Sequence, residues 1–318
     1  MPRGDDIPRI VIDETSFNFG DRRPDEVEIA LDDFNDQVEE LRCRGWTPWK
    51  PPMFEATTCT QSMELHEYLQ AGPNAQINRD TRLRFWGLLD KCREWDAADA
   101  ECDEVAIGAD PSATMAMSVA YALSMSLRRR AVACLVFPLS PRSGFAEVRA
   151  RIVTGRLFFF AFHRALAPFW RYVYLLEDVA ESEFFELVEA AFPNLLFHPD
   201  LTFRRLKGTY QELRDQVIEH LGALNDHFLS VHREAGGMPD RIAAAFRSLG
   251  LAGISPDSPN THRNRKAMAQ REVSYQGQIY LCEWHSKLGP TAGRIHFAFG
   301  GPLNDKILIG LFVDHLET

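Results

Sequence analysis

Four residues near the C-terminus carry the chemistry that is easiest to read from spacing: His285, Lys287, Arg294 and His296. The stretch 278–287 alternates, with Tyr280, Cys282 and Trp284 on one side and Leu281, Glu283, His285 and Lys287 on the other. After a loop over 288–293 containing Gly and Pro, Ile295, Phe297 and Phe299 alternate against Arg294, His296 and Ala298. A hairpin is the economical fold for this pattern. Pairing Lys287 with Arg294 then sets His285 opposite His296, Trp284 opposite Phe297 and Cys282 opposite Phe299, whereas a one-residue slip would bury a basic side chain.

Cations that face each other across a hairpin repel unless an anion lies between them. Arg and Lys supply charge-assisted donors to phosphate, and His exchanges protons near neutral pH. His285, Lys287, Arg294 and His296 are therefore the expected catalytic set of a phosphate site, with His315, Arg263, Arg265 and Lys266 expected to help hold the ligand and His262 close by. The same pattern also fits a solvated face of a two-layer unit. Two His alone make no metal site, and no compact spacing supplies a third ligand, so neither a metal nor a cofactor is expected.

Beyond the hairpin, the strand 306–313 is apolar at every position after Lys306 except Gly310, as expected of a strand covered on both sides, and it runs into Asp314 and His315. The basic strand, the segment Arg294–Phe297 and the strand leading to His315 together resemble the C-terminal half of the RelE/ParE superfamily of bacterial toxins. The likeness covers about fifty residues. It implies a small antiparallel sheet and action on RNA or gyrase, with Lys287, Arg294, His296 and His285 in the acid, base and charge-stabilising positions. A toxin-like module within a phage-defence protein is the corresponding expectation.

The rest of the chain reads as an α/β body with a mixed, partly parallel sheet and flanking helices, expected over 1–250, followed by the small antiparallel β unit over 251–318. Arg9–Ile12 predicts a buried strand, and Val27, Leu31, Phe34, Val38 and Leu41 share one helical face that Gly45 can end. Helices are expected over 62–71, 78–95, 112–129, 184–191, 210–233 and 242–249, and strands over 104–108, 131–139 and 195–197. Residues 158–174 are too aromatic to assign, with Pro168 interrupting a single helix. Gly253, Pro256 and Pro259 mark the expected boundary.

With 318 residues and 45% hydrophobic content the chain can bury a sizeable core. Its net charge of −10 argues against a nonspecific nucleic-acid coat, but the charge is uneven: from Thr261 onward seven Lys/Arg face five Asp/Glu, so the acidity lies in the body, which would suit a protein partner. That supplies the alternative of a noncatalytic scaffold subunit. A second alternative is a PIN-like, metal-dependent nuclease using Asp13, Glu14, Asp103, Glu104 and Asp110 at strand ends. Six Cys lie scattered without a CxxC pair, and no leader or membrane span is expected, so the chain reads as cytoplasmic. There is no P-loop, GxGxxG or GxSxG. His163 and His220 read as structural, and Arg128–Arg130 as a solvated turn.

Overall fold

Ile10–Ile12 is apolar throughout and forms β1, with all three residues fully buried. In the computed structural model, which describes residues 8–70, 76–96, 104–108, 114–289 and 293–317, it opens the first of two units, Met1–Glu177. After β1 come α1 (Pro24–Cys43), β2 (Trp49–Lys50), α2 (Leu65–Tyr68), α3 (Arg79–Leu89), β3 (Arg93–Glu94), β4 (Glu104–Ile107) and β5 (Thr114–Met115). Then follow α4 (Met117–Leu127), β6 (Ala133–Leu135), β7 (Gly144–Ala150), β8 (Val153–Phe160) and α5 (Ala167–Leu176).

Eight strands form one sheet in the order β3-β2-β1-β6-β8-β7-β4-β5. The first five are mutually parallel, and β7, β4 and β5 each pair antiparallel with the preceding strand in that order. Parallel strands need both faces covered. Val27, Leu31, Phe34, Val38 and Leu41 of α1 are all buried, and Phe17 meets Phe34 and Phe54 edge-on at 5.1 Å. α4 is apolar around most of its circumference, as a helix buried on all sides must be.

The second unit, Asp178–Thr318, holds α6 (Val188–Ala191), β9 (Leu195–Phe197), α7 (Tyr210–Glu234), α8 (Pro239–Ser248), β10 (Ile254–Pro256), α9 (Pro259–Arg263) and α10 (Arg265–Ala269). These are followed by β11 (Glu272–Tyr275), β12 (Gln278–Leu281), β13 (Trp284–Lys287), β14 (Arg294–Phe299) and β15 (Ile307–Val313). A five-stranded sheet runs β10-β13-β14-β15-β9, antiparallel except for β9, which lies parallel to β15. β11 and β12 form a separate hairpin.

The α/β body and the distinct C-terminal β unit are both present, but the division expected at 250/251 falls inside the second unit. The reason is long-range: β9 pairs with β15, and Phe228 of α7 lies 4.8–5.4 Å from the rings of Trp284, Phe297 and Phe299. Strand and covering helix form one core and cannot be parted at a Pro/Gly stretch. Several helices are shorter than expected: the segment 62–71 gives only α2, 78–95 gives α3 and then the strand β3, and the helix expected from residue 112 begins at Met117, after the strand Thr114–Met115. Its expected start at Pro111–Ser112 lies outside the described residues. The span 184–191 is 3-10 helix over Glu181–Glu186 and then α6. Residues 158–174 resolve into the end of β8 and the start of α5, with Pro168 in the first turn, where its missing N–H costs nothing.

The β14–β15 ladder carries a register shift: His296 faces Leu311 while Phe297 faces Ile309, so Gly310 is an extra residue in β15. A Cβ at Gly310 would lie 2.3 Å from Cys282 Sγ and 3.3 Å from both Val273 methyls. The β11–β12 hairpin rests on that bare backbone, with Val273, Cys282, Ala298, Leu303 and Leu308 as its small core.

Candidate functional site

The pairs Lys287–Arg294, Ser286–Ile295, His285–His296 and Trp284–Phe297 form the β13–β14 ladder, as the alternation predicts. Only the expected Cys282–Phe299 pair is absent. The strand breaks before Trp284, and Cys282 N donates instead to the Arg271 carbonyl at 2.9 Å. Trp284 and Ser286 face α7, where the Ser286 hydroxyl and His220 Nδ1 lie 2.6 Å apart; His285 and Lys287 therefore face the other way.

That other face is not covered by α8. It opens into a cavity of about 240 Å³ lined by Ser255, Pro256, Asp257, Ser258, Thr261, Arg271, His285, Lys287, Arg294, His296, His315 and Leu316. Five of the eight expected site residues thus meet in one pocket. Arg263, Arg265 and Lys266 do not: they sit exposed on α9 and α10, while Thr261 is the α9 residue that turns inward. His262 lies 3.8 Å from Glu283.

The floor of the pocket is a pair of imidazoles. His285 is 8% exposed and His296 1%, with ring centroids 5.2 Å apart. His296 Nδ1 donates to the Cys282 carbonyl at 3.1 Å, which fixes its tautomer and leaves Nε2 as a buried lone pair with no partner. His285 Nε2 lies 3.4 Å from Ser255 Oγ, and its Nδ1 is buried without a hydrogen bond, 3.8 Å from Asp257 Oδ1. Burial pushes His285 down to about 3, helped by His296, Arg294, Lys287 and Arg271. Burial likewise lowers His296 to about 4, against the opposing pull of the Cys282 hydrogen bond and Asp257. Both rings are therefore neutral at pH 7, which corrects the expectation that they titrate near neutrality.

Beside them lies an ion pair that periodicity does not mark. Arg271, 2% exposed, forms a bidentate pair with Asp257 through Nε and Nη2, and its Nη1 donates to the carbonyls of Ala267 at 2.6 Å and Glu317 at 3.1 Å. Asp257 falls in the Gly/Pro/Ser stretch expected to be a linker, and Arg271 precedes a strand too short to show a period. Among the described residues neither Lys287 nor Arg294 makes an ion pair; Arg294 Nη1 reaches only the Asp314 carbonyl, at 3.3 Å. With Asp257 balanced by Arg271, these two leave the pocket with uncompensated positive charge.

The strand-end carboxylates of the first unit are arranged differently. Asp13, fully buried, accepts from Arg142 Nη1 and from Thr15 N and Oγ1. Glu14 accepts from Ser118 N at 3.2–3.3 Å. Glu104 is exposed at the start of β4, with three strands between β4 and β1, and Asp103 and Asp110 lie outside the described residues. Among the described residues no group of three or more His, Cys, Asp or Glu is placed to hold a metal ion.

Burial, and then the charge of Asp13, push Glu14 up from 4.5 to about 7. Its folded state thus binds the proton more tightly than the unfolded chain does. The stability this confers is complete below 4.5 and is lost as pH rises through 7. Glu14→Gln is expected to raise stability at pH 8 by up to about 3 kcal/mol and to change it little at pH 4. Urea unfolding at the two pH values measures this, and an equal effect at both would refute it.

No family model, curated protein or solved structure matches this chain. Among the described residues no helix is long and apolar enough to cross a membrane.

Proposed function

We propose that the protein binds a phosphate group of RNA in the pocket of its second unit and acts on the phosphoester through His285 and His296, as a RelE/ParE-like module of a bacterial toxin or phage-defence system working in the cytoplasm. The observation that carries this is the pair of buried, neutral imidazoles, each with an unpartnered ring nitrogen, beneath two cations that have no carboxylate partner. An apolar floor would be cheaper for stability, because buried polar atoms without partners cost free energy. Phosphate supplies what is missing: acceptor oxygens for Lys287 and Arg294, and negative charge that favours protonation of an imidazole. The antiparallel order β13-β14-β15 is in keeping with the sheet that the family resemblance implies.

The division of labour follows from the hydrogen bonds. His296 Nε2, a lone pair held in place by the Cys282 carbonyl on the far side of the ring, takes the proton from an attacking hydroxyl as the new O–P bond forms. His285, once protonated beside the bound anion, returns a proton to the departing oxygen as its P–O bond breaks. Arg294 and Lys287 neutralise the charge that develops on the non-bridging oxygens.

His296→Asn keeps a donor toward Cys282 and removes the base, whereas Arg294→Gln removes a charge without shortening the side chain much. Each is expected to weaken binding or turnover of single-stranded RNA by about tenfold or more, with circular dichroism unchanged. Should both variants fold and bind and process RNA like the parent, the pocket has no such role and the chain is better read as an interaction subunit.

A further inference from the structure

The pocket of about 240 Å³ is smaller than the cavities that enclose drug-sized ligands, which run from about 300 to 1,000 Å³. It can take a phosphate and part of a sugar, but not a length of strand. The groups meant to meet the phosphate are also deep. His285 and His296 are almost fully buried, while the cations stand higher, Lys287 exposed and Arg294 partly so.

An internal phosphate of RNA carries a sugar on each side, and to reach the imidazoles it would have to draw both sugars down with it. A terminal phosphate carries one sugar and enters end-on. It also presents more free oxygens and, as a monoester, up to a second negative charge, which matches the two unpaired cations. The walls suit such a head group: the hydroxyl-bearing Ser255, Ser258 and Thr261 line the pocket, and Asp257 is held by Arg271 and so does not confront the anion as a free carboxylate.

We infer that the pocket recognises the phosphorylated end of an RNA strand rather than its internal backbone. This rests on the function proposed above and narrows its substrate to termini that end in phosphate. The chemistry it implies is hydrolysis at that end: water gives its proton to His296 as its oxygen bonds to phosphorus, and the ribose oxygen leaves with a proton from His285, yielding inorganic phosphate and an RNA hydroxyl.

The test uses the full-length protein and one eight-nucleotide single-stranded RNA prepared in three forms, with a 5′-phosphate, a 3′-phosphate, or hydroxyls at both ends. Each is labelled at the end away from the phosphate, and binding is followed by fluorescence anisotropy. One phosphorylated form is expected to bind at least about tenfold more tightly than the hydroxyl form, as the loss of a charge-assisted contact predicts, and Arg294→Gln and Lys287→Gln should abolish that preference. Two exposed or half-exposed positions are chosen so that the variants fold. If all three forms bind equally and Arg294→Gln weakens them alike, the pocket reads internal phosphate: end recognition is overturned while RNA binding stands. A phosphate preference that survives both variants also overturns the inference, since the phosphate is then read elsewhere. If no form binds, the inference and the proposed function fall together.

Discussion

Arg271→Met is expected to destabilise the second unit by about 3–5 kcal/mol, the range seen when one partner of a buried ion pair is removed. Asp257 would remain in place with its carboxylate almost wholly buried, its two guanidinium hydrogen bonds gone and only the weak 3.8 Å approach of His285 left. The carbonyls of Ala267 and Glu317 would lose their shared donor as well. Asp257→Leu should cost a comparable amount by stranding the guanidinium. The double variant should cost clearly less than the sum, because neither charge is then left alone. Urea unfolding of the four proteins at pH 7 decides it. Single substitutions costing below about 1 kcal/mol, or strictly additive ones, would mean that water reaches the pair and that it does not anchor the pocket wall.

Sulfate is expected to bind the pocket more than about tenfold tighter at pH 5 than at pH 8, with proton uptake. The sign comes from linkage. In the free protein His285 and His296 are held down to about 3 and 4, so the unfolded chain, with ordinary His near 6.5, binds protons more readily. Stability from these groups is present above 6.5 and is lost as pH falls toward 4; buried His220, also near 4, adds to that loss. An anion over the rings favours the imidazolium and reverses the trend at the two pocket residues. Sulfate is the better probe because its charge is constant over this range, whereas phosphate titrates near 6. Calorimetry in buffers of differing ionisation enthalpy reads the proton uptake, and sulfate should also blunt the acid loss of stability. A pH-independent affinity, or an unchanged slope in the His285→Asn/His296→Asn protein, would show that the imidazoles do not face the anion.

How far the sequence foretold this site depended on the range of the interactions involved. The facing of His285 with His296 and of Lys287 with Arg294 is a matter of parity, and an alternating strand displays parity openly. The break at Cys282 was not displayed: the alternation runs through it without interruption, and Cys282 N goes to the Arg271 carbonyl only because β11 folds back on β12. The Asp257–Arg271 pair had no local sign, since the need for each comes only from the burial of the other. The same holds for the extent of the second unit. Leu195–Phe197 reads as a strand, but its partner lies more than a hundred residues later, and no periodicity carries that information. Burial also overturned the neutral-range titration expected of the His, because desolvation depends on what surrounds a ring and not on its neighbours in sequence.

The extra residue at Gly310 bears on how this protein can change in evolution. Beyond it, Phe312 faces the helix side, opposite Ile295 and stacked on Phe203 at 4.8 Å, while Leu311 lies opposite His296 on the pocket side. Losing that one residue would make the ladder regular and keep every pair beyond it, Leu311 opposite His296 and Phe312 opposite Ile295, but would remove the side-chain-free step against which Cys282 and Val273 pack. A side chain at position 310 would have to displace Cys282 and Val273, so this position admits only glycine without a rearrangement. Lineages of this protein should therefore keep glycine at this position, or lose it together with the β11–β12 hairpin that it seats.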